Sequence, residues 1–237
     1  MRIALIGYGK MGHAIEEIAI ERGHSIVARI DDQNQEDLNK LSKEEIDVAI
    51  EFTIPQSAAQ NVSACLKSGI PVVSGTTGWN DKMEELKALC QKLNGTFFYA
   101  SNFSLGVNIF FEINKRLAKI MNRFNDYSVD MEEIHHIHKK DAPSGTAITL
   151  AEGIIENLDR INDWKLDTTE KDQLKIISIR EGEVPGTHSV KYRSDSDLIT
   201  ISHEAKGRKG FALGAVLVCE WINDKNGILT MKDFLDL

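Results

Sequence analysis

The chain has 237 residues, of which 42% are hydrophobic and 27% charged, and its formal net charge is −8 at pH 7. A chain of this length and composition forms one large or two modest globular domains with a substantial core. The acidic balance argues against a nucleic-acid partner or a membrane-surface role, both of which usually need a basic face, and no apolar run is long enough to span a bilayer.

The first hundred residues alternate between short apolar runs and amphipathic stretches, which predicts strands alternating with helices. The predicted strands are residues 2–6, 25–30, 47–52, 70–74 and 96–100, and the predicted helices are residues 12–22, 57–68 and 80–93. This alternation is typical of a parallel sheet whose strands are joined by right-handed crossovers.

The pattern changes after about residue 105. A long amphipathic helix is predicted at 107–122, with four large apolar side chains on one face: Phe110, Ile113, Leu117 and Ile120. Further predicted elements are a strand at 127–138, a helix at 146–158, strands at 174–180, 187–193 and 198–203, and a helix at 211–222. Gly- and Asp-bearing turns join the last three strands, which predicts antiparallel pairing. A parallel half followed by an antiparallel half indicates two domains.

A glycine-rich loop stands between the first predicted strand and the first predicted helix. Its residues are Gly7, Tyr8, Gly9, Lys10, Met11 and Gly12, a GxGxxG pattern at the place where a dinucleotide fingerprint must lie. In that fingerprint the first glycine makes the turn, the second lets the backbone approach a pyrophosphate, and the third lets helix and strand pack closely. The helix start then offers N–H groups to the phosphates. An ordinary glycine-rich turn is the alternative interpretation.

Two acidic residues, Asp31 and Asp32, end the second predicted strand about 20 residues downstream. An acid at this place binds the hydroxyls of the adenosine ribose, but the sequence does not decide between the two, and a solvated strand end is the alternative. No Arg or Lys follows them to hold a 2′-phosphate, which favours NADH. Lys10 could still reach such a phosphate, so the choice between NADH and NADPH stays open.

Three small segments follow predicted strands at their carboxyl ends, the edge where ligands bind in open α/β sheets. They are residues 52–53, 75–78 and 100–104. Such loops can approach a nicotinamide and hydrogen-bond its amide. Each loop alone is best explained as a turn, but three at one edge favour a cofactor site.

The densest chemistry lies in residues 132–147, which carry three histidines and two lysines. His135 and Lys139 are four residues apart, so they share a face in a strand or a helix, whereas His136 and His138 point the other way in a strand. Histidine suits proton transfer near neutral pH, and a nearby cation can hold a carboxylate or absorb developing charge. A metal site is an alternative, but no cysteine supports it and zinc needs four defined ligands, so no metal is expected.

Residues 143–146 lead into a predicted helix, where backbone N–H groups and the Thr146 hydroxyl form an anion cradle. Histidine, lysine and this helix start converge within a dozen residues, which suits a small, doubly acidic substrate. A solvated strand and a capped helix are the alternative, because Ser and Pro favour helix starts in any case.

These motifs together resemble a known family, the 4-hydroxy-tetrahydrodipicolinate reductases (dihydrodipicolinate reductases) of the bacterial diaminopimelate–lysine pathway. The run Glu133 to His136, followed by Lys139 and by residues 141–147, is similar to the family's signature. Residues 75–78, 102–104, 106–108, 186–188 and 211–215 match as well, so the resemblance covers nearly the whole chain. It implies hydride transfer from NADH or NADPH to carbon 4 of an unsaturated cyclic dicarboxylate.

The resemblance also implies roles for individual residues. By position, His135 is expected to be the proton donor or acceptor, and Lys139 the second proton donor or charge stabiliser. The expected contacts of the substrate carboxylates are His136, Gly145 and Thr146. The expected cofactor contacts are Gly7, Tyr8, Gly9, Lys10, Met11, Gly12, an acid at Asp31 or Asp32, Gly75, Thr76, Thr77, Ala100, Ser101, Asn102 and Phe103.

The fold class implied is α/β, with a Rossmann-type parallel sheet and an α+β domain with an open, mostly antiparallel sheet. The dinucleotide-binding domain is expected at residues 1–105, completed by 209–237, and the substrate-binding and oligomerisation domain at 106–208. Family members form homotetramers through the antiparallel sheet, so a homotetramer is expected. Three widely spaced cysteines predict reduced thiols in a cytoplasmic protein.

The chain departs from the family's commoner form on the adenosine side, in a glycine loop one residue shorter and in a short segment at 31–46. These departures concern the cofactor preference rather than the reaction. Two rival interpretations are a different two-domain oxidoreductase, such as an amino-acid or sugar dehydrogenase, and a non-enzymatic nucleotide sensor whose middle region contacts a partner protein.

Overall fold

In a computed structural model that describes residues 1–236, the chain forms two units. One combines Met1–Leu105 with Arg208–Leu237, and the other is Gly106–Gly207. The C-terminal segment therefore belongs to the unit that the N-terminal segment begins. None of the helices within residues 1–236 is long and apolar enough to cross a membrane.

The first unit contains a six-stranded sheet in which every strand pair is parallel. Its strands, numbered along the chain, are β1 (Arg2–Ile6), β2 (Ser25–Ile30), β3 (Val48–Glu51), β4 (Val72–Ser74), β5 (Thr96–Tyr99) and β11 (Gly227–Leu229). They lie in the order β11-β5-β4-β3-β1-β2. Strand β2 lies on one side of β1, and β3 and the later strands lie on the other side. The carboxyl ends of β1 and β3 therefore flank the switch point where such sheets bind ligands.

Helices cover both faces of this sheet. They are α1 (Lys10–Glu21), α2 (Pro55–Lys67), α3 (Met83–Leu93), α6 (Lys209–Ile222) and α7 (Met231–Leu235), with short 3-10 helices at Gln35–Lys40 and Asn80–Lys82. Neighbouring residues of β1 point to opposite sides, so Ile3 and Leu5 pack in one apolar cluster with residues of α1 and α6, while Ala4 and Ile6 pack with residues of α2 and α3. Burial on both sides explains why the strands are continuously apolar.

The second unit contains a five-stranded mixed sheet with two helices on one face. Its strands are β6 (Ser128–His135), β7 (Asp163–Leu166), β8 (Gln173–Arg180), β9 (Thr187–Arg193) and β10 (Leu198–Glu204), and its helices are α4 (Leu105–Met121) and α5 (Gly145–Ile155). The strand order is β10-β9-β6-β8-β7. One apolar cluster joins both helices to the inward side chains of β6, β8 and β9.

The predicted fold class is confirmed, but the pairing of the last three strands is partly wrong. Strands β9 and β10 pair antiparallel as predicted, whereas β8 pairs parallel with β6 and with β7. The reason is that α5 lies between β6 and β8 in the chain, and a strand–helix–strand crossover returns the chain in the same direction. Strand β7 was not predicted, because it is short and mostly exposed.

The predicted apolar face of helix α4 is partly wrong as well. Phe110 is buried and Leu117 packs against the apolar cluster, but Ile113 and Ile120 are 47% and 56% exposed. The buried side chains are Val107, Phe110, Asn114, Ala118 and Met121, a stripe rotated from the predicted one. The predicted stripe consists of large apolar residues, but the buried one includes Asn114, whose side-chain amide donates a hydrogen bond to the carbonyl of Leu150 (2.9 Å). That bond offsets part of the cost of burying a polar group.

Candidate functional site

The glycine loop of the first unit needs glycine at both ends because there is no space for a side chain. Gly7 has φ +94°, and a Cβ atom there would lie 2.0 Å from the carbonyl oxygen of Phe52. At Gly12 it would lie 2.4 Å from the carbonyl oxygen of Gly7, whereas at Gly9 it would meet no atom within 4 Å. The loop therefore packs tightly at its ends, while its middle faces open space, as a phosphate-binding turn requires. Helix α1 follows with no side-chain cap, which suits an anion site.

A groove of about 760 Å³ runs beside this loop. Its lining includes Gly7, Tyr8, Gly9, Asp31 and Asp32 from the predicted cofactor set. Asp31 accepts a hydrogen bond from the backbone N–H of Gln33 (2.9 Å), and Asp32 is exposed. The structure thus brings the glycine loop and both candidate ribose acids to one groove, whose size is typical of small-molecule sites.

A second, smaller cavity of about 260 Å³ is lined by Met11, Gly75, Thr76 and Thr77, together with Phe52, Thr53 and Pro55. Glycine is required at position 75, because a Cβ atom there would lie 2.2 Å from the ring of Phe52. Two of the three segments that the sequence placed at the carboxyl ends of strands therefore meet at one cavity.

The third segment, residues 100–104, lines neither of these cavities. Ala100 and Phe103 are buried, and the Phe103 ring lies 5.4 Å from that of Phe52, centroid to centroid. Asn102 accepts a hydrogen bond from the backbone N–H of Ser104 (2.9 Å). Phe103 therefore packs against Phe52, which lines the smaller cavity. A cofactor contact at Ala100, Ser101, Asn102 or Phe103 stays a prediction.

An unpredicted ion pair lies next to Tyr8, one of the groove residues. The Tyr8 hydroxyl donates a hydrogen bond to Glu16, and Glu16 also pairs with Arg29. The Arg29 guanidinium lowers the pKa of Glu16, so the carboxylate stays charged and compensates the cation beside the groove. Sequence reasoning missed this pair because its members lie on different elements.

In the second unit, the candidate site begins where the inward face of β6 changes from apolar to polar. Val129, Met131, Glu133 and His135 are all buried and alternate along the strand. Since alternate residues share a face, the apolar core gives way at the strand end to a carboxylate and an imidazole on the same side. This alternation was a signal in the sequence for Glu133, to which the sequence analysis gave no role.

Glu133 is 1% exposed and collects donors from three other elements. It accepts hydrogen bonds from the Ser144 backbone N–H (3.0 Å) and the Ser178 hydroxyl (2.7 Å), and it pairs with Arg180 (3.2 Å). His188 Nε2 lies 3.6 Å from its other oxygen. Ser178 and His188 face Glu133 across the sheet in the β8 and β9 registers, which explains why they reach it.

These donors decide the charge of the carboxylate. Burial by itself raises the pKa of Glu133, but hydrogen bonds from His188, Ser144 and Ser178 outweigh it and hold the pKa well below its usual value. Arg180 supplies the opposite charge. Glu133 is therefore ionised at neutral pH and serves as the fixed anion around which the cationic groups are arranged.

His135 is 6% exposed and lies edge-on to His188, with 5.0 Å between ring centroids. Burial lowers the pKa of His135 to about 4; the charge of Glu133 opposes this shift, while His188, Lys139 and Arg180 add to it. The imidazole is therefore neutral at pH 7. Its Nδ1 is 3.6 Å from Glu133 and has no hydrogen-bond partner among the described residues.

Lys139 lies beyond the end of β6, which stops at His135. Contrary to the prediction, Lys139 and His135 therefore do not share a face of one regular element, although the lysine charge still contributes to the low pKa of His135. The Lys139 ammonium is held by both carboxylate oxygens of Asp141 at 2.8 Å. His138, which precedes Lys139, pairs instead with exposed Glu183 (2.9 Å).

The start of helix α5 adjoins the same carboxylate. Ser144 caps the helix by accepting from the Ala147 N–H (3.2 Å), and its hydroxyl lies 3.1 Å from His188 Nε2. At Gly145 a Cβ atom would meet nothing within 4 Å, so the first turn is open on that side. His136 adds a buried Nδ1 with no hydrogen-bond partner within residues 1–236. The geometry supports an anion site at the helix start.

Glu133, His135 and His188 also offer three potential metal-ligand atoms within 4.8 Å of one another. This set differs from the consecutive histidines that suggested a metal in the sequence. Arg180 already pairs with Glu133, so the carboxylate has a cation without a metal.

Comparison with known proteins identifies the family. The family model "Dihydrodipicolinate reductase, N-terminus" matches residues 1–103, and "Dihydrodipicolinate reductase, C-terminus" matches residues 106–235. The chain belongs to the dihydrodipicolinate reductase family. Among the relatives of this family member, the 4-hydroxy-tetrahydrodipicolinate reductase of Christiangramia forsetii is 54% identical over 236 residues, covering 99% of this chain and 98% of that one.

More distant members of the dihydrodipicolinate reductase family also match nearly the whole chain. The 4-hydroxy-tetrahydrodipicolinate reductase of Archaeoglobus fulgidus is 34% identical and covers 100% of both chains. The solved structure of dipicolinate-bound dihydrodipicolinate reductase from Paenisporosarcina sp. TG-14 has a TM-score of 0.80 at 21% identity and covers 99% of both chains. An amine dehydrogenase from Mycobacterium smegmatis shares the fold more loosely, with a TM-score of 0.57 and 10% identity over 97% of this chain and 94% of that one.

The buried charge network of this family member can be tested with two adjacent glutamates. Replacing Glu133 with Gln leaves Arg180 without its anion, and we expect the free energy of unfolding to fall by about 3–5 kcal/mol. The matched control, Glu132→Gln, breaks a partly exposed pair with Lys191 and should cost about 1 kcal/mol or less. Denaturant unfolding at pH 7 measures both, and equal losses would contradict the central place given to Glu133.

Proposed function

We propose that this chain reduces 4-hydroxy-tetrahydrodipicolinate to tetrahydrodipicolinate, in the diaminopimelate route of lysine biosynthesis: the 4-hydroxyl group leaves as water to give dihydrodipicolinate, which takes a hydride from NAD(P)H and a proton. The names of the full-length relatives support this reaction. The structural observation that carries it is the neutral, buried His135 next to the charges of Lys139 and Arg180. A site with these groups offers positive charge for a dianion and an imidazole for a proton.

The first unit fits a pyridine nucleotide. Gly7 to Gly12 would hold the pyrophosphate, because the open face at Gly9 and the uncapped start of α1 leave room for phosphate oxygens. Asp31 or Asp32 would hold the adenosine ribose. Gly75, Thr76 and Thr77, with residues 100–103, would hold the nicotinamide end. When bound, the nucleotide supplies the hydride.

Within that class of cofactor, NADH is the preferred nucleotide in this proposal. Asp31 and Asp32 both line the groove and would repel a 2′-phosphate. Arg29, the cation beside Tyr8, is committed to Glu16, which leaves little positive charge for such a phosphate. Lys10 is exposed and does not line the groove.

The second unit holds the dicarboxylate in this proposal. Gly145 and Thr146 at the start of α5, with His136, would bind its carboxylates, and Lys139 would exchange its contact with Asp141 for the substrate. The name of the Paenisporosarcina relative, which reports bound dipicolinate, supports a planar ring with two carboxylates as the ligand class. Gly145 leaves the space that such a ligand needs.

His135 then handles the proton. A pKa of about 4 makes the imidazole neutral in the free protein, and two arriving carboxylates raise that pKa because opposite charge favours the imidazolium. His135 therefore gains a proton as substrate binds and can return it to the product. Lys139 and Arg180 stabilise the negative charge that develops toward the ring nitrogen and carboxylate during hydride addition.

The assembly and the cellular setting are proposals too. A homotetramer formed through the second sheet fits the exposed Leu198 and Ile199 on its edge strand β10. A reducing, cytoplasmic setting fits Cys65, Cys90 and Cys219, which are all free and buried.

A turnover assay tests the reaction and the residue roles. Freshly made 4-hydroxy-tetrahydrodipicolinate is mixed with NADH and, in parallel, with NADPH, while the nicotinamide absorbance is followed. The parent chain should oxidise NADH faster, and His135→Gln and Lys139→Met should each lose about two orders of magnitude or more, the scale of a lost general acid. His138→Gln, in an exposed pair, is the control and should stay near the parent rate. No turnover with either nucleotide would refute the reaction.

The titration of His135 gives a second test. In the free protein its ring resonances should titrate near pH 4, well below the ordinary value of about 6.5, and saturating dipicolinate should move the midpoint upward. Nuclear magnetic resonance of histidine-labelled protein measures this. A midpoint near 6.5 that dipicolinate leaves unchanged would contradict the proposed proton chemistry.

A further inference from the structure

Glu51 is a second fully buried carboxylate, at the end of β3 in the first unit. It accepts hydrogen bonds from the hydroxyls of Ser74 (2.5 Å) and Thr76 (2.8 Å), and from both the hydroxyl and the backbone N–H of Thr53. Within residues 1–236 no Lys, Arg or His pairs with it. It therefore differs from Glu133, whose charge Arg180 compensates.

The surrounding hydrogen bonds have a fixed direction. Thr76 accepts from the Thr53 N–H (2.7 Å), Thr53 accepts from the Asn61 amide (3.2 Å), and the hydroxyl of each threonine donates to Glu51. Gln35, a groove residue, donates in turn to Asn61 (2.9 Å). A chain in which every member donates toward Glu51 is the arrangement that an acceptor-only carboxylate requires.

Burying such a charge without a cation is costly, since hydroxyl dipoles replace only part of the lost hydration. The partners of this buried charge line a cavity of the first unit. Thr53 and Thr76, the direct partners of Glu51, line the cavity of about 260 Å³ that also includes Gly75 and Met11. The carboxylate thus lies one side chain behind the wall where the proposed function places the nicotinamide end of the cofactor.

We propose that Glu51 is an electrostatic positioning residue, whose buried negative charge makes the first unit bind the oxidised nicotinamide nucleotide more tightly than a neutral side chain would. The inference rests on the proposed function for the identity of the ligand. The nicotinamide ring is neutral before it gives up a hydride and positive afterwards, so a fixed negative charge favours the second state. Only interactions that strengthen as that charge develops assist the transfer, and Glu51 supplies one.

The experiment measures the dissociation constants of NAD⁺ and NADH for the protein without dicarboxylate substrate, by calorimetry and nucleotide fluorescence. Glu51→Gln should raise the ratio of the NAD⁺ constant to the NADH constant about tenfold, the scale of one charge acting across a layer of side chains. Glu51→Asp keeps the charge and should keep the ratio near that of the parent. Glu45→Gln, the same substitution at an exposed residue before β3, is the matched control and should leave the ratio unchanged.

A further variant covers the case in which Glu51→Gln does not fold. Ser74→Ala removes a buried donor but keeps the carboxylate, so the charge is less compensated and the ratio should move about twofold the other way, toward NAD⁺. If Glu51→Gln weakens both nucleotides in proportion, or if Ser74→Ala leaves the ratio unchanged, Glu51 is only structural and the inference is overturned. A parent chain that binds neither nucleotide would instead refute the proposed function.

Discussion

The burial of the Glu133 charge is the constraint on which the site in the second unit depends. A carboxylate that is 1% exposed stays in a folded protein only when cations and donors surround it. Here these come from β8, β9 and the start of α5, through Arg180, His188 and Ser144. The same contacts that stabilise the charge therefore join the strand bearing His135 to the helix start proposed for the substrate. The hydrogen bonds of Glu133 thus both stabilise the fold and position the proposed site.

The two units solve the problem of a buried carboxylate differently, and the difference suits their proposed ligands. Glu133 is paired with Arg180, and Lys139 adds a positive charge near His135 that suits a dianion. Glu51 is held by hydroxyls and an N–H group alone, so its negative field is left to act on what binds in front of Thr53 and Thr76. In this account the nicotinamide ring, which becomes positive, lies near a negative charge. The substrate ring, which accumulates negative charge, lies near positive charge.

Local signals in the sequence predicted much of this arrangement. Alternating strands and helices predicted the parallel sheet. The spacing of Gly7, Gly9 and Gly12 predicted the glycine loop, and the structure shows that its two ends have no space for a side chain. Features that depend on long-range contacts were missed. The direction of β8 follows from a crossover, and Arg180 reaches Glu133 from 47 residues away, which no local spacing reveals. The face of α4 was misassigned because apolar content does not determine which stripe the sheet covers.

Isotope transfer tests the central claim most directly. The reductase reaction is run with NADH deuterated at the transferred position in ordinary water, and then with unlabelled NADH in heavy water. The account predicts that the cofactor's deuterium appears at carbon 4 of the product in the first reaction, and that solvent deuterium enters at a different carbon in the second. Solvent deuterium at carbon 4, or no label from the cofactor in the product, would contradict direct hydride transfer followed by protonation from the imidazole site.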